Sequence, residues 1–378
     1  MIHHFNLLRQ QSGGHEINQM KRSINKYIND VQSYIFRNAK IIGYPTRICI
    51  DPTNYCQLFC PLCPTGNHKK NVKKGNLTYQ NYLKLINEIG DYLYKITFYN
   101  WGEPLFNPEL FLCVKDAANR GIRANISTNL NYYTDAILRD LVESNLYKLT
   151  ISLDGASQET YEVYRKNGDF QKVIAGIRKI NKIKEELNTP YPILLWQYIL
   201  MSHNENEVEQ AKSLAKELNM EFRLKAVSLE DDSVQQQKKW YPKNKEYQKI
   251  VHDANSRKPY IDRCIELWNS PVINWDGALF PCCHVFGDEY SMGNVFTDGF
   301  KKTWNNQKMI SARKAVMHLN GKHGNTYCQV CPDRRPYRSV HEFINALSRK
   351  GTSRRNIFQD KKDMRKYENW ESIARKTH

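Results

Sequence analysis

RICIDPTNYCQLFCPLC, residues 47–63, decides the fold. Its opening, RICIDP, is an apolar run bounded by proline and reads as a strand. Three cysteines follow in the next loop, Cys56, Cys60 and Cys63, spaced C-x3-C-x2-C. In α/β folds ligands sit beyond the C-terminal ends of the strands, so this loop lies on the edge where function is placed. The position favours a cofactor site over a structural staple.

Downstream the same unit repeats. Strands are predicted at 95–100, 123–128, 148–153, 192–200 and 221–227, and helices at 77–93, 108–121, 133–144, 157–187 and 206–219. Thr134 is placed to cap the third of these helices and Gly121 to end the second. The strands read as nearly continuous apolar runs, as in a parallel sheet covered by helices. Six strands are too few to close a full eight-stranded barrel. An open six-strand barrel or a doubly wound sheet fits the count. From about Pro259 the pattern changes to a hairpin, SPVINWDGALFPCCHVF, turning at Asp276-Gly277, then a helix near 301–319 and CQVC at 328–331. Residues 339–378 read as two polar helices, and the first 44 residues as helical.

Composition limits the chemistry of the cysteines. The N-terminus has no basic segment leading into an apolar one, and the longest apolar run, 193–201, is too short to span a bilayer. The chain is therefore expected to be cytoplasmic, where ten cysteines point to metal or redox use over disulfides. Cys49 and Cys113 lie in apolar segments and read as core. Net charge is +17, with 13 Lys/Arg against 5 Asp/Glu from Arg334 onward. A basic tail can meet nucleic acid, an acidic membrane surface or a phosphorylated substrate, and charge alone chooses none. For the first cysteine set zinc and iron–sulfur both remain open. Three cysteines stand without a nearby fourth, and His68, which would complete a zinc site, sits in a lysine-rich loop. On a four-iron cluster three thiolates leave one iron free.

At this point the chain resembles a known family, the radical S-adenosylmethionine (radical SAM) enzymes. Their signature is C-x3-C-x2-C after the first strand of a partial barrel, matched by Cys56, Cys60 and Cys63. WGEP at 101–104 is similar to the family's GGE motif, with Trp101 in place of the first glycine and Gly102 and Glu103 kept. STN at 127–129 and SLDG at 152–155 are similar to segments that hold the cofactor's ribose and carboxylate, which implicates Ser127, Asn129, Ser152 and Asp154. YRKNGDFQKVIAGI, 164–177, adds Arg165. Leu62 stands where the family usually has an aromatic residue against adenine. The resemblance covers about 45–227 and implies a partial (β/α)6 TIM-like barrel, a [4Fe-4S] cluster and S-adenosylmethionine.

Cys264, Gly277, Cys282, Cys328 and Cys331 are similar to the start of the SPASM extension of that family, which carries auxiliary clusters. The full pattern continues with more cysteines, but Tyr337 stands at the next position and none follows. Four ligands remain, Cys264, Cys282, Cys328 and Cys331, as in the truncated "twitch" form with one auxiliary [4Fe-4S] cluster; a four-cysteine zinc module is the alternative. Cys283 is left over. The organisation expected is an N-terminal helical extension (1–44), the barrel (45–257), a small Cys-rich α+β twitch/SPASM-like domain (258–337) and a basic helical tail (338–378).

What the resemblance implies is reductive cleavage of S-adenosylmethionine and abstraction of a substrate hydrogen. An auxiliary cluster without an open site suits electron acceptance, hence two-electron oxidation of a sugar, aminocyclitol or related small molecule, with an anionic one suggested by the basic surplus. Gln197, Arg223 and Lys225 are polar residues of the later strands from which a proton acceptor could come. The rival is a maturase of ribosomally made peptides; some 44 residues before the first strand are too few for the leader-binding domain many of those carry. RNA modification ranks third, since no RNA-binding module accompanies the tail. A flavodoxin or ferredoxin is the implied reductant.

Overall fold

Six apolar runs become six parallel strands. The computed structural model describes residues 18–36, 38–67, 73–229, 233–255, 264, 266–316 and 327–330. A first helix, α1 (18–30), docks on the barrel through Arg22, which donates to the carbonyls of Arg120 and Gly121. Then β1 (Arg47–Ile50), α2 (Tyr79–Ile89), β2 (Lys95–Phe98), α3 (Leu110–Asn119), β3 (Arg123–Thr128), α4 (Asp135–Glu143) and β4 (Lys148–Ser152) follow in strict alternation. Helices α5 (Gln158–Tyr164) and α6 (Phe170–Glu186) precede β5 (Ile193–Leu200), and α7 (Val208–Glu217) precedes β6 (Glu221–Ala226). Each strand pairs in parallel with its sequence neighbours from β1 to β6.

The sheet curls on itself. Arg223 on β6 and Tyr99 at the end of β2 sense each other's charge, although β5, β4 and β3 lie between them in the sheet. Side chains so far apart along a sheet meet only across the inside of a barrel. The strands alternate accordingly. Ile48, Ile50, Ile96, Phe98, Ile126, Leu149 and Ile151 are buried towards the helices. Lys95, Thr97, Arg123, Asn125, Ser127, Thr150, Gln197, Arg223 and Lys225 occupy the other face and keep partial or full water access. The inner face is therefore more polar than the nearly continuous apolar runs predicted. A half-open barrel holds a wet chamber and does not need its lumen filled with side chains.

One predicted helix is two. The run expected over 157–187 breaks between Tyr164 and Phe170, because Asn167 takes a left-handed φ of 67°. Asp169 then caps α6 by accepting from the backbone N–H of Lys172. The break turns Arg165 towards the cysteine loop. Thr134 caps α4 as predicted. Likewise the helix predicted near 301–319 is two pieces, Phe300–Trp304 and Gln307–Val316.

The C-terminal hairpin, β7 (Val272–Ile273) and β8 (Leu279–Phe280), turns at Gly277 with φ 90°. Its first strand pairs in parallel with β1, Cys49 opposite Val272, so the cysteine-rich segment extends the barrel sheet at its β1 edge. Arg313 locks the following helix against the barrel. Fully buried, its guanidinium donates to the carbonyls of Leu267, Ala39 and Trp304 and lies 4.4 Å over the Trp304 ring. Residues 331–378, with Cys331 and the predicted basic tail, lie outside the described residues, as do 1–17 and His68.

Candidate active site

The loop after β1 is held from three sides. WGEP lies along it: Tyr99 N–H donates to Ile50 O, Trp101 N–H to Asp51 Oδ2 (3.3 Å) and Glu103 N–H to Tyr55 O (2.8 Å). A side chain at Gly102 would put its Cβ 1.9 Å from Thr53 O, so only glycine lets the two backbones meet. The end of β3 supplies the second side. Asn129 Oδ1 accepts from Gln57 Nε2 (2.9 Å), and Asn129 Nδ2 points at Cys56 Sγ (3.7 Å). The third side is the break between α5 and α6. Phe59 N–H donates to Lys166 O, Asn167 Nδ2 to Gln57 O, and Arg165 Nη1 reaches Cys60 Sγ at 3.7 Å. Gly66 folds back so closely that a Cβ there would meet the Cys60 backbone at 2.5 Å.

Two buried carboxylates tie these sides together. Glu103 accepts from Thr128 Oγ1 (2.6 Å), Asn129 N–H (2.7 Å) and Leu105 N–H (3.2 Å). Asp154 accepts from Arg165 Nε (2.7 Å) and Ile199 N–H (2.6 Å). Burial pushes Glu103 up to about 7 against the pull of its donors, and does the same to Asp51, whose Oδ1 has no partner among the described residues. Ser127 and Ser152 line the strand ends nearby, and Leu62 packs with Cys56, Cys63 and Ile199 against Leu58 and Trp240. A separate cavity of about 780 Å³ opens at the opposite ends of β5 and β6, around Lys184, Pro190 and Met220. No cysteine is among its lining residues, and it takes no part in this site.

Residues 50–218 match the family model described as the radical SAM superfamily, and residues 264–332 the one described as an iron-sulfur cluster-binding domain, SPASM. The chain thus carries a radical SAM domain followed by a SPASM segment. An AdoMet-dependent heme synthase from Methanosarcina barkeri is 29% identical over 175 residues, 46% of this chain and 48% of that protein. The tungsten-containing aldehyde ferredoxin oxidoreductase cofactor-modifying protein of Pyrococcus furiosus is 25% identical over 293 residues, 68% of this chain and 80% of that one. Apart from the Pyrococcus protein, most of the curated relatives are matched over about half of their own length or less. Among solved structures, Streptococcus suis SuiB bound to precursor peptide SuiA superposes with a TM-score of 0.56 at 13% identity, over 74% of this chain and 68% of that one. AnSMEcpe with AdoMet and a peptide gives 0.55 at 15%, over 80% and 95%. These two establish the partial-barrel fold and its C-terminal extension.

A radical SAM cluster needs three thiolates, and the first cysteine set suits it. The thiols of Cys56, Cys60 and Cys63 sense one another's charge in a largely buried loop. Burial pushes Cys56 up to about 12 and raises Cys60, where the neighbouring Arg165 partly counters it. Such thiols ionise beside added positive charge, which a coordinated metal provides. Among the described residues no three His, Cys, Asp or Glu side chains converge on one point, as a single ion requires. Ligands attached to different irons of one cluster need no such convergence.

In the SPASM segment, Cys282 lies within electrostatic range of Cys264, Cys283 and Cys328, on the β8 side of the hairpin. The fourth predicted ligand, Cys331, lies outside the described residues. Cys283 packs with Cys282 and Tyr99 against the cluster of Cys49, Val272 and Phe280, within electrostatic range of Lys225 on the inner face of β6. Sequence reasoning passed over Gln57, Thr128 and Asp51. Their only signal was position, one residue after a ligand, at a strand end and just before the cysteine loop. No described helix is long and apolar enough to cross a membrane.

Proposed function

We propose that this radical SAM enzyme catalyses a two-electron oxidation of a hydroxyl-bearing small molecule held in the barrel lumen, a sugar, aminocyclitol or related compound. One observation supports the reading: Cys282, of the second cysteine set, and its chain neighbour Cys283 pack together with Tyr99 against Cys49 of β1, at the inner face of the barrel. A one-electron acceptor, were the second set to hold one, would thus be ligated from beside the proposed substrate chamber. When bound, the cluster on Cys56, Cys60 and Cys63 with S-adenosylmethionine supplies the radical that takes the substrate hydrogen. The chain's own groups arrange the rest. Asn129 and Gln57 orient the ligand loop, and Glu103 fixes the end of β3 beside it. Arg165, anchored on Asp154, keeps a guanidinium edge at the cysteine loop for the cofactor carboxylate. Ser127 and Ser152 face the same strand-end space.

The test is anaerobic reconstitution with dithionite as reductant. Production of 5′-deoxyadenosine from S-adenosylmethionine is expected, with loss in Cys60→Ala. Cys282→Ala is expected to keep this cleavage while losing oxidised product. Full product formation by Cys282→Ala would sink the acceptor role.

A second reading is modification of a ribosomally made peptide. It is favoured by the likeness to SuiB and anSMEcpe, both of which have peptide-bound structures, and by a 26% match over 121 residues to a PqqA peptide cyclase. Stimulation of deoxyadenosine formation by peptides and not by polyols would select it.

A further inference from the structure

Strand β6 carries Glu221, Arg223 and Lys225 on one face and Phe222, Leu224 and Ala226 on the other, the latter packed into the core. The charged face looks into the lumen. Arg223 senses Tyr99 of β2 across it. Lys225, nearer the functional edge, senses Cys283 from beyond β8, Arg223 beside it, Asp154 from the loop after β4 and Arg165 from the break after α5. Lys225 thus senses groups from three parts of the fold outside its own strand. It keeps water access in the chamber while protein surrounds it, and burial holds its ammonium below the ordinary lysine value.

The nearby negative charges are already spent. Glu221 accepts from Lys148 Nζ at 2.9 Å. Asp154 is taken by Arg165 and Ile199 N–H. Glu103 is enclosed by three donors, and Asp51 sits behind the WGEP backbone. Arg223 donates to the neutral oxygen of Gln197 at 2.8 Å and senses the Glu221 carboxylate, which Lys148 already holds. Lys225 has no carboxylate in ion-pair reach among the described residues. Both side chains are open to water, and among the described residues neither is paired with a carboxylate, so an incoming anion can neutralise the two together. Their Cα atoms are roughly 7 Å apart, two residues along one strand, so one oxyanion can meet both. A guanidinium suits it as a planar fork and an ammonium as a point charge.

We propose that the lumen takes a substrate bearing a carboxylate or phosphate, which Arg223 and Lys225 hold beside the Cys283 thiol. The inference rests on the reading of the lumen as the substrate chamber. It names the end of the molecule that anchors there.

Pyridoxal 5′-phosphate is the probe. Its aldehyde condenses with a lysine amine, releasing water, and cyanoborohydride reduces the imine to a stable amine. Reconstituted full-length protein is labelled anaerobically and the modified lysines are located by peptide mass spectrometry. Lys225 is expected to label ahead of the surface lysines, about tenfold less in Arg223→Gln, with partial recovery in Arg223→Lys. Protection by inorganic phosphate and not malonate assigns a phosphate, and the reverse a carboxylate. Labelling of Lys225 no faster than the surface lysines overturns the proposal. So does equal labelling by pyridoxal, which lacks the phosphate. Deoxyadenosine formation is measured on the same preparation. Its loss with Lys225 labelling intact counts against the radical reading alone, and its presence without selective labelling counts against the anion site alone.

Discussion

Arg165 and Asp154 form an ion pair at 2.7 Å with the carboxylate fully buried and the guanidinium edge against Cys60. The pair joins the loop after β4 to the break between α5 and α6, and through Cys60 to the ligand loop. Removing one partner leaves an uncompensated buried charge. Arg165→Met or Asp154→Leu is therefore expected to cost about 3–5 kcal/mol in urea unfolding. The double variant should lose less than either single one, because no charge is stranded. Additive losses would show that the two residues act independently.

Asp51 and Glu103 make stability depend on pH in an unusual direction. Burial raises both to about 7, well above the ordinary carboxylate range. Between about pH 4.5 and 7 the folded protein keeps protons that the unfolded chain has released, so stability falls as pH rises through that window. Each group contributes up to about 1.4 kcal/mol per pH unit there. Asp51→Asn should flatten the curve, and the difference between wild type and variant at pH 5 and 7.5 isolates the residue. An unchanged slope would mean that Asp51 ionises normally inside the fold.

The sequence was most legible where local rules and periodicity agree. The alternation of six strands with helices, the caps at Thr134 and the turn at Gly277 follow from patterning and backbone chemistry. The cysteine loop was legible as a site from its place after the first strand, while the spacing alone left zinc and iron–sulfur open and the family resemblance chose between them. Glu103 was legible as important, yet its three bonds to the end of β3 depend on the parallel pairing of β2 with β3. The break at Asn167 escaped because a single left-handed residue barely disturbs an amphipathic pattern. The surroundings of Cys283 escaped for a different reason. They depend on how far the sheet curls, which is set by long-range packing and not by any short stretch of chain.

Gly102 offers a clean steric test. An alanine Cβ would lie 1.9 Å from Thr53 O, so the WGEP segment and the strand leading to Cys56 must part. Gly102→Ala is expected to cost about 1–3 kcal/mol by overpacking and to lower iron retention, since the displaced residues lead into the ligand loop. Gly90→Ala is the control. There the nearest atom is the Ile86 side chain at 3.2 Å and the backbone is helical, so stability should change little. Equal effects in both variants would remove the steric argument.

Metal content per chain decides the role of the second cysteine set. Cys282 lies within electrostatic range of Cys264 and Cys328, and such cysteines can serve a four-cysteine zinc or a four-iron cluster. After anaerobic reconstitution, about eight irons with matching sulfide and no zinc are expected. Cys282→Ala should fall to about four irons, because the first set is a separate loop, and Cys60→Ala should lose the other four. About four irons with one zinc in the wild type would make the hairpin region a structural staple. The oxidation reading would then lack its electron acceptor, and a redox-neutral radical reaction in the same lumen would take its place.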